Sequence, residues 1–343
     1  RARGARSGLV VLATGLGKTL VAALDAARYA EEVGRPIRVI VIAHREELLT
    51  QAARQFRAAC RAKGQEPRVT WYVGTANDLS GDLVLASVQK LARPAGISAL
   101  VGERFDYAVV DEVHHADAES YRRVLGVLGA GFVLGLTATP ERPDGGDVLG
   151  LFGDTVFHRT DLGEGVARGL LVPFRYYGLR DTVAYDAIPW RRGRFDLGAL
   201  DAALATNARM DKLWEALTAH PGARTLVFCV SSAHAAFVRG DLTRRGMRVE
   251  TVLSDGGTLD RAAAPGALES GRLDAVVSVD LFNEGIDVPS VDRVVMLRPT
   301  ESNVVFLQQL GRGLRRAEGK RDLTVIDFVG NHRSFLWKVE ALL

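Results

Sequence analysis

Cysteine is scarce in this 343-residue chain: Cys60 and Cys229 lie far apart, and neither has a CxxC partner. A disulfide framework needs several pairable thiols and a structural zinc site needs clustered ones, so both are excluded, and the two thiols suit a reducing, cytoplasmic setting. No apolar run approaches the roughly 20 residues of a membrane-spanning helix, and nothing resembles a cleavable signal. Excess charge is also lacking: 44 basic against 41 acidic side chains leave a net charge of +3. That balance permits nucleic acid as a partner without requiring it. Arginine greatly outnumbers lysine, a bias that genomic base composition explains without any function. The first residue is Arg1 rather than Met, so the chain is expected to be a fragment or a trimmed form of a longer protein.

What is present is the composition of a globular protein with proper cores, 47% hydrophobic and 25% charged. The length favours two domains. Short β-rich runs ("GLVVLAT", "IRVIVIAH", "RVTWYVG", "GDLVLAS", "FDYAVVDE", "FVLGLTAT") alternate with amphipathic stretches such as "KTLVAALDAARYAEEVG" and "REELLTQAARQFRAACRAKG". A second series, "RTLVFCV", "MRVETVL", "LDAVVSV", "VDRVVML" and "DLTVIDF", follows residue 206. Alternating strand and helix predicts parallel sheets covered on both faces. The expected division is 1–157 and 207–343, joined by a less regular connection at 158–206 that carries Pro173, Pro189 and several glycines.

"LVVLATGLGKTLVAAL", residues 9–24, reads as a strand, a glycine turn and a helix. Gly15 and Gly17 would let the backbone N–H groups face phosphate oxygens, which the following helix dipole also favours. Lys18 would reach the β- and γ-phosphates, and the Thr19 hydroxyl would serve Mg²⁺. Leu12 stands where the usual G-x-x-x-x-G-K-[ST] pattern has its first glycine; the bland alternative is a strand-to-helix turn with a chance GKT. "YAVVDEVHHAD" puts Asp111 and Glu112 at the end of another apolar run, one suited to holding Mg²⁺ and the other to polarising an attacking water.

Together "ATGLGKT", "DEVH", "TATP" (Thr137 to Pro140) and "QQLGRGLR" (Gln308 to Arg315) resemble motifs I, II, III and VI of superfamily 2 helicases and translocases, in the family's order and across nearly the whole chain. "IAHREELLTQ", "ASVQKL", "LVFCVSSAHA" and "SVDLFNEGIDVPSVDRVVML" are similar to its motifs Ia, Ib, IV and V. The tetrad is of the DExH type. "GLTATPERPDGGDV", "NEGIDVP" and "VIDFVGNHRSF" resemble bacterial DNA helicase cores related to restriction motors, RadD-type proteins and phage-defence helicases. In this family the first P-loop position is often not glycine.

The resemblance implies an α/β fold of two tandem RecA-like domains, each a mostly parallel sheet with helices on both faces. It implies ATP and Mg²⁺ as ligands. The ATP site would use Thr14, Gly15, Leu16, Gly17, Lys18, Thr19, Leu20, Gly285 and Asp287, with Thr19 and Asp111 on the metal. Lys18, Asp111 and Glu112 would be catalytic, joined by Gln308, Arg312 and Arg315, whose helical spacing would let them share one face and enter from the second domain. His114, Thr137 and Thr139 would couple the ATP site to the nucleic-acid path. That path would involve His44, Arg45, Ser87 and Gln89 in the first domain and Ser231, Ser278 and Leu281 in the second, gripping phosphates.

The implied activity is ATP-dependent movement along, or unwinding of, nucleic acid, with DNA preferred to RNA. The rivals are a duplex DNA translocase of a restriction or defence complex and an ATP-gated nucleic-acid clamp. Accessory nuclease or specificity domains or subunits would lie outside this chain. The family's adenine-reading element, an aromatic and a glutamine before motif I, has no counterpart in "RARGARSGLVVL". The aromatic-and-arginine cluster at 173–195, ending in "WRRGRF", reads either as a stacking surface or as an edge strand whose Trp190 packs on a domain.

Overall fold

The apolar runs become strands whose alternate residues are buried on opposite faces of a sheet. In β1 (Ser7–Leu12), Val10 and Leu12 enter one core cluster while Leu9 and Val11 enter another. A strand buried on both faces shows no polar alternation, which is why these segments read as continuous hydrophobic runs. The computed structural model describes residues 4–113, 118–138, 148–191, 194–253, 257–260, 262–279, 288–299 and 303–329. The chain divides into two compact units, Arg1–Asp161 and Leu162–Leu343.

In the first unit, β1 is followed by α1 (Lys18–Val33), β2 (Val39–Ala43), α2 (Glu46–Arg61), β3 (Val69–Tyr72), β4 (Leu83–Ser87), α3 (Val88–Leu91), α4 (Pro94–Leu100), β5 (Phe105–Asp111), α5 (Ala118–Val127), β6 (Ala130–Thr137) and β7 (Val156–Thr160). The seven strands pair in the order β3-β4-β2-β5-β6-β1-β7, and every pairing is parallel. Parallel neighbours need crossover connections, which the helices supply. Ala22, Ala23 and Ala26 of α1 and Leu48, Leu49, Ala52 and Phe56 of α2 cover one face. Val88, Leu91, Leu100, Tyr121 and Val124 of α3 to α5 cover the other.

The second unit contains α6 (Leu162–Ala167), β8 (Phe174–Arg180), β9 (Trp190–Arg191), β10 (Arg194–Phe195), α7 (Leu197–Leu204), α8 (Asn207–Ala219), β11 (Thr225–Phe228), α9 (Ser232–Arg244), β12 (Val249–Val252), α10 (Ala264–Glu269), β13 (Ala275–Ser278), β14 (Arg293–Met296), α11 (Asn303–Gly313) and β15 (Leu323–Val329). Its six-stranded sheet runs β12-β13-β11-β14-β15-β8, again with every pairing parallel. Met210, Leu213, Ala235 and Val238 of α8 and α9 pack on one face with Val227, Val277 and Val295. Phe306 and Leu310 of α11 are fully buried, and Phe306 meets Tyr176 of β8 edge-on at 6.4 Å.

Part of 158–206, expected as a connection, is built into these sheets, as the end of β7 and as β8. β8 pairs with β15 along seven residues, from Phe174↔Leu323 to Arg180↔Val329. As an edge strand it stays partly exposed, and its mixed composition gives no clean apolar signal. Among the described residues no helix is long and apolar enough to cross a membrane.

Candidate functional site

The turn between β1 and α1 spans residues 13–17, so Leu12 still belongs to the strand. Its side chain is 6% exposed and lies in the core. A glycine is therefore not needed there; the backbone demand falls later. Gly15 and Gly17 have φ of 94° and 77°, the left-handed region that side chains adopt only at a cost. Gly17 is the N-cap of α1 and no side chain caps this helix. By contrast α7, α8 and α9 are capped by Asp196, Thr206 and Ser231. The first N–H groups of α1 are thus left for a ligand, with the positive end of the helix dipole behind them. Thr14 Oγ1 is buried in the same turn without a hydrogen-bond partner. Leu16 packs on the core below, while Leu20 is exposed.

Lys18 and Glu112 form a buried ion pair at 3.3 Å, with side chains 8% and 9% exposed. The Lys18 ammonium also lies 3.5 Å from the Leu12 carbonyl oxygen. Thr19 Oγ1 donates to Asp111 Oδ2 at 3.1 Å, and the Glu112 N–H donates to Asp111 Oδ1 at 3.0 Å. Glu112 takes φ of 50°, unusual for a residue with a side chain and costing on the order of 1–3 kcal/mol. That conformation accompanies the turn of its carboxylate toward Lys18. Between β1 and β5 lies β6, whose last residue, Thr137, is fully buried opposite Val11 while Leu136 stands opposite Asp111.

Burial first, and then the charge of Glu112, push the Asp111 carboxyl upward against the opposing effects of Lys18 and Thr19. In the Lys18–Asp111–Glu112 cluster one ammonium faces two carboxylates in low dielectric. Hard oxygen donors at Thr19 and Asp111, with negative charge to spare, fit a small divalent cation such as Mg²⁺. The orphaned Thr14 hydroxyl and uncapped helix fit an anion beside it.

The expected nucleic-acid residues of the first unit gather at the same, carboxyl-terminal edge of the sheet. His44 and Arg45 follow β2, and Ser87 ends the neighbouring β4, opposite Ala43. Ser87 Oγ donates to Gln89 Oε1 at 2.7 Å, and Gln89 Nε2 donates to the His44 carbonyl at 2.8 Å. Arg45 is the N-cap position of α2. In the second unit Ser231 accepts from the His234 N–H and donates to Asp201 at 2.5 Å. Ser278 is 1% exposed and donates to the carbonyls of Val252 and Val279. His114, Thr139, Leu281, Gly285 and Asp287 lie outside the described residues.

α11 carries Gln308, 1% exposed, and Arg312, 8% exposed, one turn apart. It ends at Gly313, so Arg315 lies beyond it rather than on a continuous helical face. A Cβ on Gly313 would fall 2.4 Å from Leu323, which explains the glycine. Lys320, which the sequence did not single out, ties this end down. Its ammonium donates to the carbonyls of Pro289 (2.9 Å), Arg315 (3.0 Å) and Gly313. Burial lowers its pKa to about 8, with Asp292 acting in the opposite direction. A lysine in "AEGKRD" reads as a solvated loop residue; three converging carbonyls appear only once the chain has folded.

Two parallel α/β units, the first with a glycine turn and a helix start facing a carboxylate pair, have the build of tandem RecA-like domains. Residues 1–142 match the family described as "Type III restriction enzyme, res subunit", and residues 208–317 match "Helicase conserved C-terminal domain". The chain belongs to the superfamily 2 helicase cores, in the branch related to restriction-enzyme motors. It is similar to the Saccharomyces cerevisiae protein named "Putative ATP-dependent helicase IRC3", 26% identical over 94% of this chain and 48% of that protein. It is 24% identical to the "DNA 3'-5' translocase XPB2" of Sulfurisphaera tokodaii, over 91% of this chain and 76% of that one. A solved fragment of a "putative HsdR subunit of a type I restriction enzyme" from Vibrio vulnificus superposes with a TM-score of 0.68 at 26% identity, covering 95% of this chain and 60% of that one. The chain therefore spans about half the length, 48%, of the yeast relative.

Proposed function

We propose that this chain is the motor core of an ATP-dependent DNA helicase or translocase. The observation that carries the reading is the buried constellation of Lys18, Thr19, Asp111 and Glu112 around an uncapped helix start. In this reading ATP is the substrate. Residues 14–20 cradle its phosphates through backbone N–H groups, and Lys18 leaves Glu112 for the β- and γ-phosphates. Glu112, released, orients and deprotonates the attacking water. Thr19 and Asp111 would hold Mg²⁺, which would supply charge neutralisation on the phosphates.

Residues 1–157 form the nucleotide-holding domain, and 207–343 supply Gln308, Arg312 and Arg315, with 158–206 joining the two. ATP closes the cleft so that the arginines meet the γ-phosphate; hydrolysis reopens it. Gly285 and Asp287 contact the nucleotide from the same side. His114, Thr137 and Thr139 pass the change to a strand held by His44, Arg45, Ser87, Gln89, Ser231, Ser278 and Leu281. DNA is the favoured track because relatives over most of the chain are named as a DNA translocase and a restriction-enzyme subunit. The latter also favours the second reading, a duplex translocase working with nuclease or specificity parts outside this chain.

The test is ATP hydrolysis measured alone and with single-stranded DNA, duplex DNA and RNA, with Glu112→Gln as control. Stimulation by DNA that the variant loses is expected, single strands favouring unwinding and duplex favouring translocation. Hydrolysis that no polymer stimulates would sink the motor reading.

A further inference from the structure

The second sheet holds a cavity of about 510 Å³ at its amino-terminal edge, opposite the end that carries Ser231 and Ser278. It lies where α8 returns to β11 through Pro221 to Arg224 and where β12, β13 and β14 begin. Strand register explains why basic residues collect there. Thr225 of β11 pairs with Ala275 of β13 and with Arg293 of β14, and Ala275 pairs with Val249 of β12. Arg224, Arg248 and Arg293 therefore stand at or just before the first paired residues of three strands of one sheet. Gly222 admits the loop: a Cβ there would fall 2.9 Å from Arg293 Cβ and 3.0 Å from Asp292 Oδ1.

Positive charge is in excess in this cavity. Asp274 is the only carboxylate among its described lining residues, and both its oxygens accept from Arg248. Asp292, at the foot of the loop, accepts from the N–H groups of Ala223 and Arg224 at 3.1 and 2.9 Å. Arg293 is 4% exposed, yet its guanidinium hydrogen-bonds only to neutral oxygens: Thr225 Oγ1 at 3.0 Å and the carbonyls of Leu217 and His220 at 3.0 and 2.9 Å. Burial accordingly lowers its pKa, with Asp292 acting in the opposite direction. Arg224 is half-buried, its side chain has no hydrogen bond or ion pair among the described residues, and its Nε is buried without a partner. Cations withdrawn from water without a counter-charge are costly, and an anion relieves that cost. The rest of the wall includes the apolar surfaces of Trp214, Leu217 and Met247.

We infer that this cavity binds a small aromatic anion, Arg224 taking the phosphate or carboxylate group, Arg293 supplying uncompensated charge, and Trp214 meeting the ring. An arginine fork matches either anion, and the volume falls within the roughly 300–1,000 Å³ of small-molecule sites. A concave site of this size, charged on one wall and apolar on another, suits a compact ligand that joins the two characters. The site stands apart from the Lys18 and Asp111 constellation of the first unit, so it does not depend on the ATP reading.

The experiment titrates the full chain calorimetrically with phenyl phosphate, benzoate, inorganic phosphate and phenol. Phenyl phosphate or benzoate is expected to bind about 10-fold or more tighter than inorganic phosphate or phenol, and the tighter of the two names the anion. Because the glycine turn before α1 is itself an anion candidate, the titrations are repeated in Lys18→Ala, where this binding should persist. Arg224→Ala should weaken it about 10-fold or more, the order of one charge-assisted hydrogen bond, with an unchanged melting curve. Arg224→Lys keeps the charge without the fork and should restore part of the affinity. Trp214→Leu keeps apolar bulk and should narrow the gap between phenyl phosphate and inorganic phosphate.

Affinity that Arg224→Ala leaves unchanged overturns the inference, and so does binding that disappears in Lys18→Ala, which would assign it to the glycine turn. Equal affinity for phenyl phosphate and inorganic phosphate, or no binding of any probe, overturns it as well.

Discussion

Lys320 shows how one side chain can gather distant backbone carbonyls. Its three donors join Pro289, within the stretch similar to motif V, to the carbonyls of Gly313 and Arg315 at the end of the arginine-bearing segment. Its pKa falls from the ordinary 10.5 to about 8 on folding. Between those values the folded chain binds fewer protons than the unfolded one, so this group makes the fold more stable as pH rises through that window. Over the same range the ammonium loses one of its three donors. Turnover is therefore expected to decline above about pH 8 without a fall in thermal midpoint from this group. Lys320→Arg, charged throughout, should flatten that decline. Paired profiles of kcat and melting temperature check it; identical limbs in both proteins would remove Lys320 from the account.

At the scale of elements, the second sheet is joined to its flanking helices by a buried ion pair. Arg209 of α8 donates to both oxygens of Asp181 just after β8, at 3.1 and 2.8 Å, and to the Leu297 carbonyl after β14 at 3.1 Å. Tyr185 donates to the same carboxylate at 2.7 Å, and the guanidinium lies 4.8 Å over the Phe328 ring. Burial acts to raise the Asp181 pKa, but the hydrogen bond and charge of Arg209 hold it below its ordinary 3.8. Its contribution to stability is present above that value and lost as pH falls through the lower, folded one.

Asp181→Asn leaves Arg209 charged and uncompensated and should cost roughly 3–5 kcal/mol in chemical denaturation. A double replacement by apolar residues of similar volume should cost far less. A small loss in the single variant would show that water reaches the pair.

For the whole molecule, the proposed division of labour predicts a separation of binding from chemistry. Lys18 lies in the first unit and Arg312 and Arg315 in the second. Lys18→Ala should weaken nucleotide affinity itself. Arg315→Ala should leave affinity for a fluorescent ATP analogue nearly unchanged while lowering kcat on the order of 10³-fold or more. Equal loss of affinity and turnover in the arginine variant, with an intact melting curve, would mean that it contributes to ground-state binding and not to the transition state.

The glycine turn of the candidate phosphate cradle was legible in the sequence because its geometry is local. A strand run, two glycines that must take left-handed φ, a lysine and a threonine stand within 13 consecutive residues, from Ser7 to Thr19. The alternation of runs likewise announced parallel sheets, since residues buried on both faces must be apolar throughout. Long-range contacts were not legible in that way. Leu12 became intelligible only with its side chain in the core, and β8 only when paired with β15, since an edge strand need not be wholly apolar. Arg315 left the helix that its spacing suggested, because α11 ends where Lys320 gathers the carbonyls. Ser231 acquired its partner from α7, and Trp190, one reading of which packed it on a domain, stays exposed. Spacing encodes what neighbouring residues can do through the backbone. Which distant carbonyl, carboxylate or ring completes a polar side chain depends on how the helices pack on the sheets, and that was settled by burial.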